Sequence, residues 1–174
     1  AADPDYAHTT AQVPDGPKLH FFYQTDTLAE NWQQLPEFTV KAFQYMSQNF
    51  GEYPYDKYSV VQGGDSGMEY PMATLITGHR SLRSLVGVTV HELIHSWFQM
   101  LLGTNESLYP WMDEGFTSYA SNRTMAHLFG GSGPRVQARS YGGYFALVES
   151  GKEEPMTTHS DHYSTNRAYG LAAY

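Results

Sequence analysis

The segment from about Arg80 to Leu102 constrains this chain more than any other. It has helical length, and Leu82, Leu85, Val86, Val90, Leu93, Ile94, Trp97, Phe98 and Leu101 cover most of its circumference. A helix that is apolar nearly all round offers no face to water, so the fold must cover it from several sides. The chain has the means to do so: 174 residues, 41% of them hydrophobic, suffice for the core of one ordinary domain. Yet the same helix carries His91-Glu92-Leu93-Ile94-His95. Ionisable groups in such a place need partners, because an unsatisfied buried polar group costs about 1–3 kcal/mol.

The spacing names a partner. On a 3.6-residue turn, positions 91 and 95 project from one face, so two imidazoles can hold one metal ion. Glu92, rotated by about 100°, can address a metal-bound water. A catalytic zinc takes a third protein ligand and leaves its fourth position to water. The 18 residues 96–113 lead on from His95 to Glu114, in Trp111-Met112-Asp113-Glu114-Gly115-Phe116 on the next expected helix, which makes Glu114 the candidate third ligand. From the chain's own His and Glu frequencies the five-residue motif arises by chance in roughly 2% of such sequences, and a Glu at one prescribed later offset lowers that to about 0.1%. A metal site therefore outranks two satisfied core histidines. With no cysteine in the chain, His and carboxylates are the available ligand types. An apolar sheath also disfavours protonated imidazole and keeps neutral ligands available near pH 7.

The rest of the sequence supplies the frame. Residues 1–18, with Pro4, Pro14, Gly16 and Pro17, read as an extended lead-in or linker end. Leu19–Tyr23 is a β-prone run, and a helix is expected from Pro36 to Phe50, with Pro36 in its first turn and Gly51 closing it. Lys57–Gln62 and Met68–Thr77 are β-rich runs separated by Gly63-Gly64-Asp65-Ser66-Gly67, and Pro71 assigns the second to a sheet edge. That glycine-rich stretch has neither the Lys nor the strand-to-helix context of a phosphate loop. Gly103 is expected to cap the 80–102 helix, and further helices are expected over 111–129, about 135–149, and from about Asp161 onward, with a break at Gly130-Gly131-Ser132-Gly133-Pro134. A β-rich front and a helical back predict an α+β fold. The formal net charge of −8, with no basic block, argues against nucleic acid as a partner. No apolar run is long enough to cross a bilayer. His159-Ser160-Asp161-His162 has metal-capable residue types, but its polar setting fits a loop and N-cap role.

His91-Glu92-x-x-His95, eighteen residues and then Glu114 resembles the gluzincin metallopeptidases, and specifically the M1 zinc aminopeptidase family. A second motif carries the narrower resemblance. M1 exopeptidases have a Gly-x-Met-Glu-Asn strand shortly before the zinc helix, and Ser66-Gly67-Met68-Glu69-Tyr70 occupies that place, matching at Gly67, Met68 and Glu69 and departing at Ser66 and Tyr70. The resemblance implies one Zn²⁺ held by His91, His95 and Glu114, with Glu92 as general base. It implies that Glu69, with Gly67 and Met68, binds the substrate, Glu69 taking the free α-amine of a peptide. It further implies a tyrosine that stabilises the oxyanion, for which Tyr174 is the first candidate and Tyr169 the second. The implied fold is a thermolysin-like catalytic domain over residues 19–174, cut short at its C-terminus: a small mixed sheet with an edge strand at the cleft, followed by helices. The implied partners are peptides with a free N-terminus and the N- and C-terminal domains that full-length members possess. The implied activity is removal of N-terminal residues from peptides. The alternatives are an endopeptidase or epoxide hydrolase on the same zinc site, or a catalytically silent, zinc-stabilised binding module.

Overall fold

A computed structural model describes residues 4–25, 28–64, 66–131 and 136–174. Asp65 and residues 132–135, which belong to the two glycine-rich breaks, lie outside the described residues. The chain divides into two compact units, Ala1–Ser96 and Trp97–Tyr174.

In the first unit, strands β1 (Tyr6–Gln12), β2 (Lys18–Gln24), β3 (Lys57–Gly63), β4 (Gly67–Tyr70) and β5 (Ala73–Thr77) form one mixed sheet in the order β1-β2-β3-β5-β4. The pairs β2–β3 and β3–β5 are parallel, and β1–β2 and β4–β5 are antiparallel. Helices α1 (Ala29–Phe50) and α2 (Leu82–Ile94) pack on each other, α1 against β1 and β2 and α2 against β4 and β5. The fold is α+β, as the element order predicts.

Five sequence expectations are corrected, the last of them in the second unit. Residues 6–12 are not lead-in but the sheet edge β1, in register with β2 from Tyr6 opposite Gln24 to Gln12 opposite Lys18. Pro14 and Pro17 belong to the hairpin turn, which is closed by Gly16 N–H donating to the Val13 carbonyl (3.0 Å) and Val13 N–H donating to the Pro17 carbonyl (3.1 Å). Helix α1 starts seven residues before Pro36. Its buried stripe, Trp32, Leu35, Thr39, Ala42, Phe43 and Met46, runs straight through the proline. An interior proline costs about 3 kcal/mol, whereas each fully buried large apolar side chain returns about 1.5–3 kcal/mol. Trp32 also donates its indole N–H to the Gly78 carbonyl (3.2 Å) and stacks on Tyr23. The run Met68–Thr77 is two strands, because the chain reverses at Pro71-Met72, where Met72 has φ +59°.

The fourth correction is the length of α2, which ends at Ile94 with His95 as its cap. Phe98 (φ −95°, ψ 115°) and Gln99 (φ 83°, ψ −54°) leave helical geometry. Leu101 and Leu102 are exposed and Phe98 is only partly buried, so the apolar residues past Trp97 do not form the buried stripe that would hold a longer helix together.

In the second unit, the wide helical turn Trp111–Gly115 runs into α3 (Phe116–Phe129), followed by α4 (Ala138–Glu149) and α5 (Asn166–Ala172). The last helix starts at Asn166 rather than near Asp161, because the Thr165 hydroxyl accepts from Ala168 N–H and caps it. Asp161 sits in a single tight turn, Ser160–His162, whose N-terminal cap is the His159 side chain accepting from Asp161 N–H (3.2 Å).

Candidate metal and peptide site

Helix α2 sets the chemistry. Leu85, Val86, Val90, Leu93 and Ile94 are buried along it, which fixes the rotation of the helix and hence the direction of its polar residues. His91 and His95 lie one turn apart with their Nε2 atoms 3.4 Å from each other and their rings nearly perpendicular. Two nitrogens each about 2.0–2.1 Å from a tetrahedral zinc would be about 3.3–3.4 Å apart. The pair is therefore spaced for one ion without rearrangement. His95 is fully buried and His91 half-buried.

Glu92 is buried at 6% exposure. Its carboxylate lies against Gly67 at the start of β4: a Cβ on Gly67 would collide with Glu92 Oε1 and stand 2.7 Å from Val88 Cγ2 and 3.1 Å from Glu92 Cδ. Only glycine permits this approach of strand to helix. Two residues on, Glu69 lies on the same face of β4 as Gly67, by the alternation of the strand. Glu69, Glu92 and His95 each offer a ligand-type atom, and these atoms all lie within 4.8 Å of one another.

Among the described residues, strand β4 is the sheet edge and pairs only with β5. The buried Thr74 hydroxyl donates to the Met68 carbonyl (2.9 Å), and Arg80 Nη2 donates to the Ser66 carbonyl (2.6 Å), so both ends of the Gly67-Met68-Glu69 segment are held. The Met68 side chain points the other way and is exposed.

The second unit places Glu114 in the turn Trp111–Gly115, where it and Asp113 are both buried. Gly115 passes so close to the end of α5 that an added Cβ would stand 2.9 Å from the Ala173 carbonyl oxygen. Glu114 and Tyr174 are the sequence neighbours of that contact. Tyr174 lies just past α5, half-exposed, with its ring 6.0 Å from that of Tyr169, and together with Gly115, Tyr119 and Leu171 it lines a cavity of about 320 Å³.

Residues 35–169 match the model of the Peptidase family M1 domain. The chain belongs to peptidase family M1. It is 34% identical over 117 residues to aminopeptidase B of Rattus norvegicus, across 62% of this chain and 18% of that protein. It is 31% identical over 157 residues to leucine aminopeptidase 2 of Ajellomyces capsulatus, across 84% of this chain and 25% of that protein. Among solved structures, an M1 zinc metallopeptidase from Deinococcus radiodurans superposes with a TM-score of 0.66 at 22% identity, over 88% of this chain and 34% of that one, which shows a shared fold. The chain thus spans a quarter or less of the length of these two M1 relatives.

Two residues of this M1 chain escaped the sequence reading. Asp113 is buried beside Glu114, and its adjacency in Trp-Met-Asp-Glu-Gly was the available signal. Tyr58 is fully buried on β3, and its hydroxyl has no hydrogen-bond partner among the described residues. The signal there was the alternation of Tyr58, Val60 and Gln62 in a strand leading toward the Gly67-Met68-Glu69 segment.

Proposed function

We propose that this chain carries the zinc centre and the amine-binding strand of an aminopeptidase of the M1 family. The observation that carries the reading is the convergence of the His91 and His95 ε-nitrogens at 3.4 Å, with Glu92 and Glu69 gathered beside His95. His91, His95 and Glu114 would hold one Zn²⁺; Glu114 is supported by its offset of nineteen residues from His95, its burial and the family membership. The ion, when bound, supplies Lewis acidity toward the scissile carbonyl and a usable water nucleophile near neutral pH.

The chain's own residues do the rest. Glu92, seated against Gly67, takes a proton from the attacking water at its carboxylate and passes it to the leaving amine. Glu69, fixed on the sheet edge, offers charge-assisted hydrogen bonds to the α-ammonium of a peptide, so that the bond presented for cleavage is the first one. Tyr174, whose backbone neighbour Ala173 abuts Gly115, is the donor for the developing oxyanion, in preference to Tyr169 one turn earlier.

The test is Glu92→Gln in the zinc-loaded protein. The variant should keep its zinc and lose about 10²- to 10⁴-fold in turnover of an amino-acid arylamide, the usual contribution of a general base. Turnover equal to wild type would remove Glu92 from the mechanism. Peptides with free and N-acetylated termini tested side by side separate this reading from an endopeptidase, which would cleave both.

A further inference from the structure

Arg80 stands between β5 and α2, and its hydrogen bonds join three elements of the first unit. Helix α1 anchors its backbone: Asn31 Nδ2 donates to the Arg80 carbonyl (2.9 Å), and Arg80 N–H donates to the Gly78 carbonyl (3.0 Å), which also accepts the Trp32 indole N–H. Gly78 is itself confined, since a Cβ there would collide with the Gln62 side chain on β3. The Arg80 side chain reaches two further elements. Its Nη2 donates to the Ser66 carbonyl (2.6 Å), immediately before β4, and its Nη1 donates to the Ser84 hydroxyl (3.3 Å) in the first turn of α2. Among the described residues no carboxylate pairs with this guanidinium, so its donors serve these two neutral acceptors.

Strand β4 needs such a tie. It has four residues and, among the described residues, a ladder to β5 alone, so pairing by itself holds it weakly. The chain enters it from Gly63-Gly64, where the backbone is at its most permissive. Two side chains make up the difference by binding the carbonyls on either side of Gly67: Thr74 at Met68 and Arg80 at Ser66. Of the two donors only Arg80 is charged, which makes the stronger bond, and its planar fork can bond strand and helix at once. Glu69 moves with β4, whereas Glu92 belongs to α2 and stays with the helix.

We propose, resting on the aminopeptidase reading above, that Arg80 is a positioning residue for Glu69. Its guanidinium ties the entry of β4 to the first turn of α2 and so sets where the Glu69 carboxylate meets the substrate's ammonium.

The experiment compares wild type, Arg80→Met, Arg80→Lys, Glu69→Ala and the double variant of Arg80→Met with Glu69→Ala. Methionine keeps the apolar stem and removes every side-chain donor, while lysine keeps one charged donor group. In the zinc-free proteins, amide hydrogen exchange across Gly67–Tyr70 should quicken about tenfold in Arg80→Met, with β2 and β3 exchanging at wild-type rates. In the zinc-loaded proteins, Arg80→Met should raise KM for an amino-acid arylamide about tenfold, while kcat and zinc content stay within about twofold. Arg80→Lys should recover most of that loss, and in the Glu69→Ala background Arg80→Met should raise KM no further. Unchanged exchange in β4, a fall in kcat at unchanged KM, or a rise in KM that persists without Glu69 would each overturn the proposal. Wild-type protein that fails to cleave the arylamide would bring down the aminopeptidase reading instead, and the exchange rates then decide on their own whether Arg80 holds β4.

Discussion

Replacing Gly67 with Ala inserts one methyl group between β4 and α2, at the point where the strand meets the Glu92 carboxylate. The new Cβ would collide with Glu92 Oε1 and stand 2.7 Å from Val88 Cγ2. Carbon atoms pack at about 3.5–4.0 Å, so the strand and helix must separate by about 0.8 Å or the Glu92 carboxylate must turn away. Overpacking of this kind costs about 1–3 kcal/mol, which for a chain of this size lowers Tm by about 3–9 °C at about 3 °C per kcal/mol. The effect on chemistry is larger in proportion, since a misplacement of about 1 Å in a reacting group can cost about 10²-fold in rate. The variant should therefore keep the zinc occupancy of wild type and lose about 10²-fold in kcat. Gly64→Ala is the control, because a Cβ there meets nothing within 4 Å. The assay is kcat and KM on an amino-acid arylamide, with Tm and metal content measured on the same samples. A Gly67→Ala protein with wild-type kcat and Tm would show that Glu92 does not lie against β4, and the seating of the general base would have to be abandoned.

Glu69→Ala should raise KM or lower kcat for peptides with free N-termini without changing zinc content, because the partner lost is the one proposed to face the substrate ammonium; parallel loss on N-acetylated peptides would contradict this. Tyr174→Phe should lower kcat by about 10²- to 10³-fold, whereas Tyr169→Phe should not, and the reverse order would transfer the oxyanion role to Tyr169. The third expectation concerns pH. Burial, then His8, Lys18 and Lys57, hold His20 below the usual histidine value. In the window between the folded and the ordinary value the unfolded chain binds the extra proton, so stability is full above about pH 6.5 and declines as pH falls through the window. Denaturant titrations from pH 8 to pH 5 should show a smaller acid loss for His20→Gln than for wild type; identical curves would remove His20 as a source.

The candidate metal ligands His91 and His95 were legible because pairing of that kind depends on spacing. His91 and His95 share a helix face by the 3.6-residue turn alone, and the structure keeps that relation with α2 ending at Ile94 rather than near Leu102. The edge expected for Met68–Thr77 holds only for its first half, and not because of Pro71, which lies in the turn between β4 and β5; β5 is flanked by β3 and β4. Strand β1 was not legible, because Tyr6–Gln12 is an edge strand of largely polar residues with no apolar alternation, and the prolines beside it serve a hairpin turn rather than a linker. The start of α1 was hidden by Pro36, whose local cost is outweighed by a buried stripe that forms only once the sheet is in place. Neither the seat of Glu92 on Gly67 nor the burial of the Tyr58 hydroxyl has a local signature. The first depends on which strand α2 crosses and the second on how Phe43 of α1 and Tyr53 close over β3, and both are properties of the assembled sheet.

The proposed aminopeptidase chemistry requires one metal at one place. Crystals of the zinc-loaded protein, measured at the zinc absorption edge and accompanied by metal analysis of the same preparation, should give a single anomalous peak bonded to Nε2 of His91, Nε2 of His95 and the Glu114 carboxylate, at one zinc per chain. A protein that binds no stoichiometric zinc, or a peak seated on Glu69 and Glu92 instead, would contradict it.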